Sequence, residues 1–175
     1  METGIYTLAN DVTLDWFVAF CNSVRRHDPD LPLIVIPYDD RVERLTRLAG
    51  RYGFEMLADS RLGSLDEIGR QMSPTGLSGM FRKLSVFSGP LTHFAYLDAD
   101  LMMLSSISPA IEAIIQRRAD LLVFDTSPTQ VYRPSLRAQF PNSLSFNAGG
   151  VCGPSGPPDR RESKGAEQAG DAAPV

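Results

Sequence analysis

The chain has 175 residues, of which 43% are hydrophobic and 22% are charged, a composition typical of an ordinary globular domain. Its 17 basic and 21 acidic residues give a net charge of -4, and no basic block is present, so nucleic acid is not an expected partner. Two distant cysteines indicate neither a disulfide framework nor a zinc site. Without a leader-like segment or an apolar run long enough for a transmembrane span, the sequence predicts a cytoplasmic protein.

The first part of the chain reads as strand, turn and helix, repeated. Residues 5–9 predict a strand that stops at Asn10-Asp11. A helix with one buried face follows, on the spacing of Leu14, Phe17, Val18, Cys21 and Val24. Trp16 and the aromatic residues near it are assigned to the core. Residues 33–36 predict a buried strand, residues 41–51 a charged helix and residues 54–57 a third strand.

The second part continues the alternation. Helical spacing of apolar residues begins at Leu77 and ends at Gly89-Pro90. A strand over residues 94–97 then runs into Asp98-Ala99-Asp100, and a helix over 109–116 and a strand over 120–124 follow. This order predicts an α/β domain over residues 1–153, with a mostly parallel sheet that binds ligands at the carboxyl ends of its strands. Residues 154–175 lack Leu, Ile, Phe, Tyr and Trp, which predicts a disordered tail.

Asp98 and Asp100 carry the chemistry that the pattern indicates. Two carboxylates at positions i and i+2 after an extended strand can face the same side, which suits a hard divalent cation that also binds phosphate oxygens. A metal there would stabilise a departing diphosphate as a Lewis acid. The segment Asp28-Pro29-Asp30 has the same pattern, but it lies beside proline between a helix and a strand and is interpreted as a surface turn.

Four segments in order resemble one enzyme family. The segment Phe81-Arg82-Lys83-Leu84 and residues 94–101 are similar to the core signature of glycogenin-type, family 8 glycosyltransferases, which have the three-layer, Rossmann-like GT-A fold of nucleotide-diphospho-sugar transferases. Residues 5–11 resemble the family's nucleotide-binding first strand and turn, and residues 146–150 resemble its F-N-x-G segment. The ordered set covers about residues 3–152.

The resemblance implies a role for each matched position. The base and ribose of the nucleotide, most often uridine in this family, would be bordered by Thr7, Leu8, Ala9, Asn10 and Asp11. Lys83 would approach the donor's phosphate or sugar, and Asn147 would contact the transferred sugar. Asp98 and Asp100 would hold Mn²⁺ or Mg²⁺, and Asp98, with Ala99, would also border the donor. The partners implied are a UDP-sugar donor and a glycan, protein or small-molecule acceptor.

The sequence departs from the family pattern in two ways. Val12 stands where family members usually place an aromatic residue that stacks on the base. The family's late His-x-Gly segment, whose histidine completes the metal site, is not present, which predicts a truncated or frame-shifted end. The expected consequences are an incomplete sheet with uncovered surface, association with a partner or with a second copy, and lower affinity for the metal.

Other interpretations stay open at this stage. The chain could be a nucleotide-sugar-binding module or remnant without turnover. Asn10-Asp11 could cap a helix, Lys83 could be a solvated surface lysine, and Asn147 could belong to a bend at a strand end. A strand followed by Asp98-Ala99-Asp100 also resembles the first motif of haloacid-dehalogenase-type phosphatases, with Asp98 as nucleophile and Asp100 as general acid.

Overall fold

A computed structural model describes residues 2–72, 77–124 and 149–156 of the chain. Six strands within these ranges form one sheet. The strands are β1 (Thr3–Ala9), β2 (Leu33–Pro37), β3 (Phe54–Met56), β4 (His93–Leu97), β5 (Leu122–Val123) and β6 (Gly150–Pro154). Their order is β3-β2-β1-β4-β6-β5. The pairs β3-β2, β2-β1 and β1-β4 are parallel, whereas β6 runs antiparallel to both β4 and β5. The α/β class and the mostly parallel sheet are confirmed; residues 157–175 of the predicted tail lie outside the described residues.

Five α-helices and one 3₁₀ segment accompany the sheet in the described part of the chain. They are α1 (Leu14–His27), α2 (Glu43–Thr46), α3 (Ala49–Tyr52), α4 (Leu62–Met72), α5 (Ser108–Ile115) and the 3₁₀ segment Ser78–Ser88. The helix predicted over residues 41–51 is two short helices, separated by a turn at Arg47-Leu48. No helix was predicted at α4, although its leucines have helical spacing. None of these helices is long and apolar enough to cross a membrane.

The α-helix predicted from Leu77 onward is wrong, because residues Ser78–Ser88 form a 3₁₀ helix. A 3₁₀ helix has three residues per turn, so side chains at i and i+3 share a face. Gly79, Arg82 and Ser85 accordingly form the buried face of Ser78–Ser88, whereas Leu84 and Phe87 are exposed. Met80, one of the apolar residues with helical spacing, does pack against the core.

The strands bury both faces of the sheet, as expected for parallel strands flanked by helices. One face packs on α1, α2, α3 and α5 through residues that include Ile5, Val35 and Ala95. The other face, which includes Tyr6 and Tyr96, packs on the 3₁₀ segment and on Leu62 of α4. The described residues therefore form three layers.

The strand order places the carboxyl ends of β1 and β4 at a topological switch point. From β1 the chain crosses to β2 and β3 on one side of the sheet, and β4 lies on the other side of β1. In open α/β sheets, ligands bind in the crevice at such a point. Asn10 follows β1 and Asp98 follows β4, so the polar residues picked out from the sequence lie at this crevice.

The interpretation of Asp28-Pro29-Asp30 as a surface turn is wrong for Asp28, which is buried. Its side chain is only 7% exposed, whereas Asp30 is exposed. One carboxylate oxygen of Asp28 accepts hydrogen bonds from the hydroxyls of Ser106 and Ser108, at 2.5 and 3.0 Å. The other accepts the backbone N–H of Ile107 at 2.9 Å, directly before α5. Asp28 therefore caps α5 from a distant part of the chain.

We predict that Asp28→Ala lowers the free energy of unfolding by about 2 kcal/mol. The substitution leaves a buried backbone N–H and two hydroxyls without an acceptor, a loss that typically costs roughly 1–3 kcal/mol. Asp30→Ala is the matched control and is expected to change stability by less than about 0.5 kcal/mol, because Asp30 is an exposed turn residue. Urea unfolding of both variants measures the difference, and equal midpoints would contradict the capping role.

Candidate functional site

A cleft of about 320 Å³ opens at the carboxyl ends of β1, β2 and β4. Each of these strands is followed by residues that line it. The lining residues are Leu8, Ala9, Asn10, Val12, Thr13, Trp16, Tyr38, Arg41, Met80, Asp98, Ala99 and Asp100. Asn10, at the end of β1, therefore lies in the same cleft as Asp98 and Asp100, at the end of β4.

Asp98, Ala99 and Asp100 lie in a turn and not on an extended strand. Strand β4 ends at Leu97, and the N–H of Leu101 donates to the carbonyl of Asp98 at 3.1 Å. The expected strand periodicity therefore does not set the direction of the two carboxylates. Ala99 is buried in the core, while Asp98 is half-buried, Asp100 is exposed and both line the cleft. The turn, and not an extended strand, places the carboxylates of Asp98 and Asp100 in one cleft.

The carboxylate of Asp98 is held by Tyr96 and Lys83. The Tyr96 hydroxyl donates to Oδ1 of Asp98 at 2.5 Å, and the Lys83 ammonium lies 3.5 Å from the same oxygen. Lys83 Nζ also lies 5.0 Å from the centroid of the Tyr96 ring. Burial, and secondly the negative charge of Asp98, raise the pKa of Tyr96, so its hydroxyl remains a protonated donor.

Asn10 is held in place by two sets of bonds. Its side-chain oxygen accepts the N–H groups of Val12 and Thr13, at 3.0 and 3.2 Å, just before α1 begins. Its amide nitrogen donates to Oδ2 of Asp39 at 2.9 Å, and Asp39 also pairs with Arg41. Burial alone would raise the pKa of Asp39, but these hydrogen bonds, mainly those from Arg41, lower it overall. Asn10 therefore holds the turn before α1 and lines the cleft, but it is not the cap of the helix, since the N-cap position is Thr13 and no side chain caps it.

Two residues of the predicted nucleotide segment do not line the cleft. Asp11 points its carboxylate at the start of α2, where it accepts the N–H groups of Leu45 and Arg44 at 2.8 and 3.1 Å. Thr7 is fully buried, and its hydroxyl has no hydrogen-bond partner within the described ranges. Asn147, the predicted sugar contact, lies outside the described residues.

Trp16 is not a core residue, contrary to the prediction. Its side chain is 62% exposed and lines the cleft, as does that of Val12. Tyr38 and Arg41 line the cleft as well, and neither was predicted. A signal for Tyr38 exists in the sequence, since it follows a buried strand directly, which is where ligands meet a parallel sheet.

The carboxylates in the cleft are compatible with a hard divalent cation. Asp98 and Asp100 carry carboxylate oxygens of the kind that Mg²⁺ binds, and Mg²⁺ characteristically takes one or two carboxylates and fills its other positions with phosphate oxygens and water. Among the described residues, no group of three or more histidine, cysteine, aspartate or glutamate side chains is gathered at one place.

Comparison with known proteins identifies the fold. Neither protein-family models nor curated protein sequences match the chain. Among solved structures, the galactosyltransferase LgtC, in complex with donor and acceptor sugar analogs, matches 85% of the chain with a TM-score of 0.58 at 17% identity. The chain has a GT-A fold. Core-mannan synthase A (CmsA/Ktr4) from Aspergillus fumigatus, in its Mn/GDP form, matches 88% of it with a TM-score of 0.51 at 10% identity.

A third GT-A structure shows the same likeness over a smaller share of its own length. The apo-form glycosyltransferase GlyE of Streptococcus pneumoniae TIGR4 matches 87% of the chain with a TM-score of 0.50 at 14% identity. The chain spans 56% of LgtC, 59% of CmsA and 34% of GlyE. At these identities the likeness establishes the fold.

Proposed function

We propose that the chain binds a nucleotide-diphospho-sugar in the cleft and that it acts as a glycosyltransferase, which moves the sugar to an acceptor. The observation that carries the proposal is the convergence of Asn10 and the Asp98-Ala99-Asp100 turn on one cleft at the switch point of a GT-A sheet. Support comes from the GT-A structures above, one of which holds donor and acceptor sugar analogs and another Mn and GDP.

The residues divide between the two ends of such a donor. Ala9, Asn10 and Trp16 line the cleft on the side of β1 and α1, where we place the base and ribose. Asp98 and Asp100 would hold Mn²⁺ or Mg²⁺ on the β4 side, with the diphosphate against them. A bound cation would supply Lewis-acid stabilisation of the charge that develops on the leaving diphosphate.

Sugar transfer by this chain alone is a further step of the proposal. The chain spans at most 59% of the three GT-A structures, and a nucleotide-sugar-binding module without turnover is the alternative. Calorimetry with UDP and Mn²⁺ measures binding, and a donor-hydrolysis or transfer assay with a labelled UDP-sugar measures turnover. Binding without turnover would favour the module.

Trp16 provides a direct test of donor binding, because it is the only tryptophan in the chain and it lines the cleft. We expect UDP with Mn²⁺ to change its fluorescence saturably, since a base next to the indole alters the environment of an exposed ring. Stacking on an aromatic residue is worth roughly 1–3 kcal/mol per base, so Trp16→Ala is expected to weaken UDP binding in calorimetry by about tenfold.

Two controls make this test decisive. GDP with Mn²⁺ is titrated in parallel, because uridine is expected only from the family resemblance. Pyrophosphate with Mn²⁺ lacks a base and is expected to leave the fluorescence of Trp16 nearly unchanged. If neither UDP nor GDP gives a saturable signal in fluorescence or calorimetry, the proposed donor site is wrong.

A further inference from the structure

Lys83 lies where its charge opposes a metal ion at Asp98. Its ammonium contacts Oδ1 of Asp98 at 3.5 Å, on the oxygen that also accepts the Tyr96 hydroxyl. Within the described residues, both side chains that contact this carboxylate meet it at Oδ1. Divalent cations bind carboxylate oxygens at about 2.0–2.6 Å, so a cation on Oδ1 would stand within about 6 Å of Lys83 Nζ where it now lies.

The surroundings of Lys83 make this opposition effective. The side chain is largely buried, with Asp98 on one side and the face of the Tyr96 ring on another. Its neighbour Arg82 is fixed by a two-bond ion pair to Asp66, which anchors the 3₁₀ segment beneath the lysine. Charges in such a partly dry site interact more strongly than charges in water, so cation–cation repulsion is weakly screened.

A diphosphate removes the conflict. The lysine stem is flexible, and its ammonium carries three donors that can be turned from a carboxylate to phosphate oxygens. When a nucleoside diphosphate enters with the cation, its phosphate oxygens can bind both the cation and the Lys83 ammonium. Asp98 can then bind the metal without Lys83. The same lysine thus disfavours the metal alone and favours the metal with nucleotide.

We propose that Lys83, which pairs with Asp98 Oδ1, competes with a cation for this carboxylate, so that divalent metal and nucleoside diphosphate bind with positive cooperativity through this residue. The inference rests on the proposed function, because it assumes that the cleft binds both ligands. By linkage, any factor by which nucleotide tightens metal binding must equal the factor by which metal tightens nucleotide binding. The chain would then hold little metal until the donor arrives.

The test is a Mn²⁺ titration followed by electron paramagnetic resonance of free Mn²⁺, with and without UDP. Lys83→Gln is expected to bind Mn²⁺ alone about 3–10-fold more tightly than the wild type, and the cooperativity factor with UDP is expected to fall by at least the same amount. Lys83→Arg keeps the charge and is expected to keep the cooperativity. Arg70→Gln removes one exposed positive charge on α4 and controls for net charge.

The outcomes separate the inference from the function. If Lys83→Gln binds Mn²⁺ alone no more tightly than the wild type while both bind Mn²⁺ with UDP, the inference is overturned and the donor site stands. If the wild type binds no Mn²⁺ with UDP, both are overturned. Thermal melting checks that Lys83→Gln is folded, and Lys83→Met, which keeps the apolar stem, replaces it if it is not.

Discussion

Asp98→Asn is expected to weaken the binding of UDP in the presence of Mn²⁺ by more than about 100-fold. Even the loss of a residue that only supports a metal ligand typically costs roughly 10–100-fold in metal affinity, and Asp98 is proposed as a ligand itself. The substitution is nearly isosteric, and the amide oxygen can still accept the hydroxyl of Tyr96. The fold should therefore be retained, and calorimetry with UDP and Mn²⁺ measures the effect.

Asp30→Asn is the matched control for this prediction. Asp30 belongs to the other D-x-D segment of the chain, is exposed and lies away from the cleft. It should bind UDP and Mn²⁺ as the wild type does. Equal affinity of Asp98→Asn and Asp30→Asn would contradict the proposed metal site.

The same pair of variants tests the phosphatase interpretation of Asp98. In that chemistry the carboxylate attacks phosphorus, so hydrolysis of a simple aryl phosphate would be present in the wild type and lost in Asp98→Asn. We expect no such activity in either protein, because the proposed use of Asp98 is metal binding. Hydrolysis lost on substitution would favour the phosphatase.

The sheet could be predicted from the sequence because its central strands are short apolar runs with polar residues at their ends. Leu33–Pro37 and His93–Leu97 are buried on both faces, which leaves little ambiguity between strand and surface helix. The Asp98 turn was located by the same logic, since it follows such a strand. Its companion Arg41 was not found, because its place in the cleft depends on β2 lying beside β1. Tyr38 was missed although it directly follows a buried strand.

The helices show where local periodicity stops being sufficient. In α1 the spacing of Phe17, Cys21 and Val24 predicted the buried stripe correctly. Trp16 lies four residues before the buried Phe20 and so on the same side of the helix, and periodicity alone would bury it. It is exposed because it belongs to the first turn of α1, where the cleft opens. In the 3₁₀ segment, burial of Arg82 depends on a partner 16 residues earlier in the chain, which no local pattern reveals.

Asp66→Asn is expected to lower the free energy of unfolding by about 3 kcal/mol. Asp66 on α4 receives the guanidinium of Arg82 through two hydrogen bonds, at 2.8 and 2.5 Å, and the two side chains are only 17% and 9% exposed. Removing one partner of a buried ion pair typically costs roughly 3–5 kcal/mol. The exposed Asp40, whose carboxylate lies 3.8 Å from the Arg82 guanidinium, would remain as a weaker partner, so the lower end of this range is expected. Arg82 also donates to the carbonyl of Pro37 at 2.9 Å, a bond that should remain.

The control is Glu67→Gln, one residue further along α4. Glu67 pairs with Arg70 on the exposed surface, where ion pairs contribute less than about 1 kcal/mol. The double variant Asp66→Leu, Arg82→Met separates charge from packing, because it removes both charges and is expected to cost less than Asp66→Asn alone. Urea unfolding of the four proteins measures these differences, and equal effects of Asp66→Asn and Glu67→Gln would contradict the buried pair.

The stability that Asp66 contributes should also depend on pH in one direction. The hydrogen bonds from Arg82 hold the pKa of Asp66 below its ordinary value. A carboxylate with a lowered folded-state pKa stabilises fully above its unfolded pKa of about 4, and this contribution is lost as the pH falls through the folded pKa. The difference in unfolding free energy between wild type and Asp66→Asn should therefore be constant near neutral pH and shrink below about pH 4. A difference that grows on acidification would show that Asp66 stabilises the fold by something other than its charge.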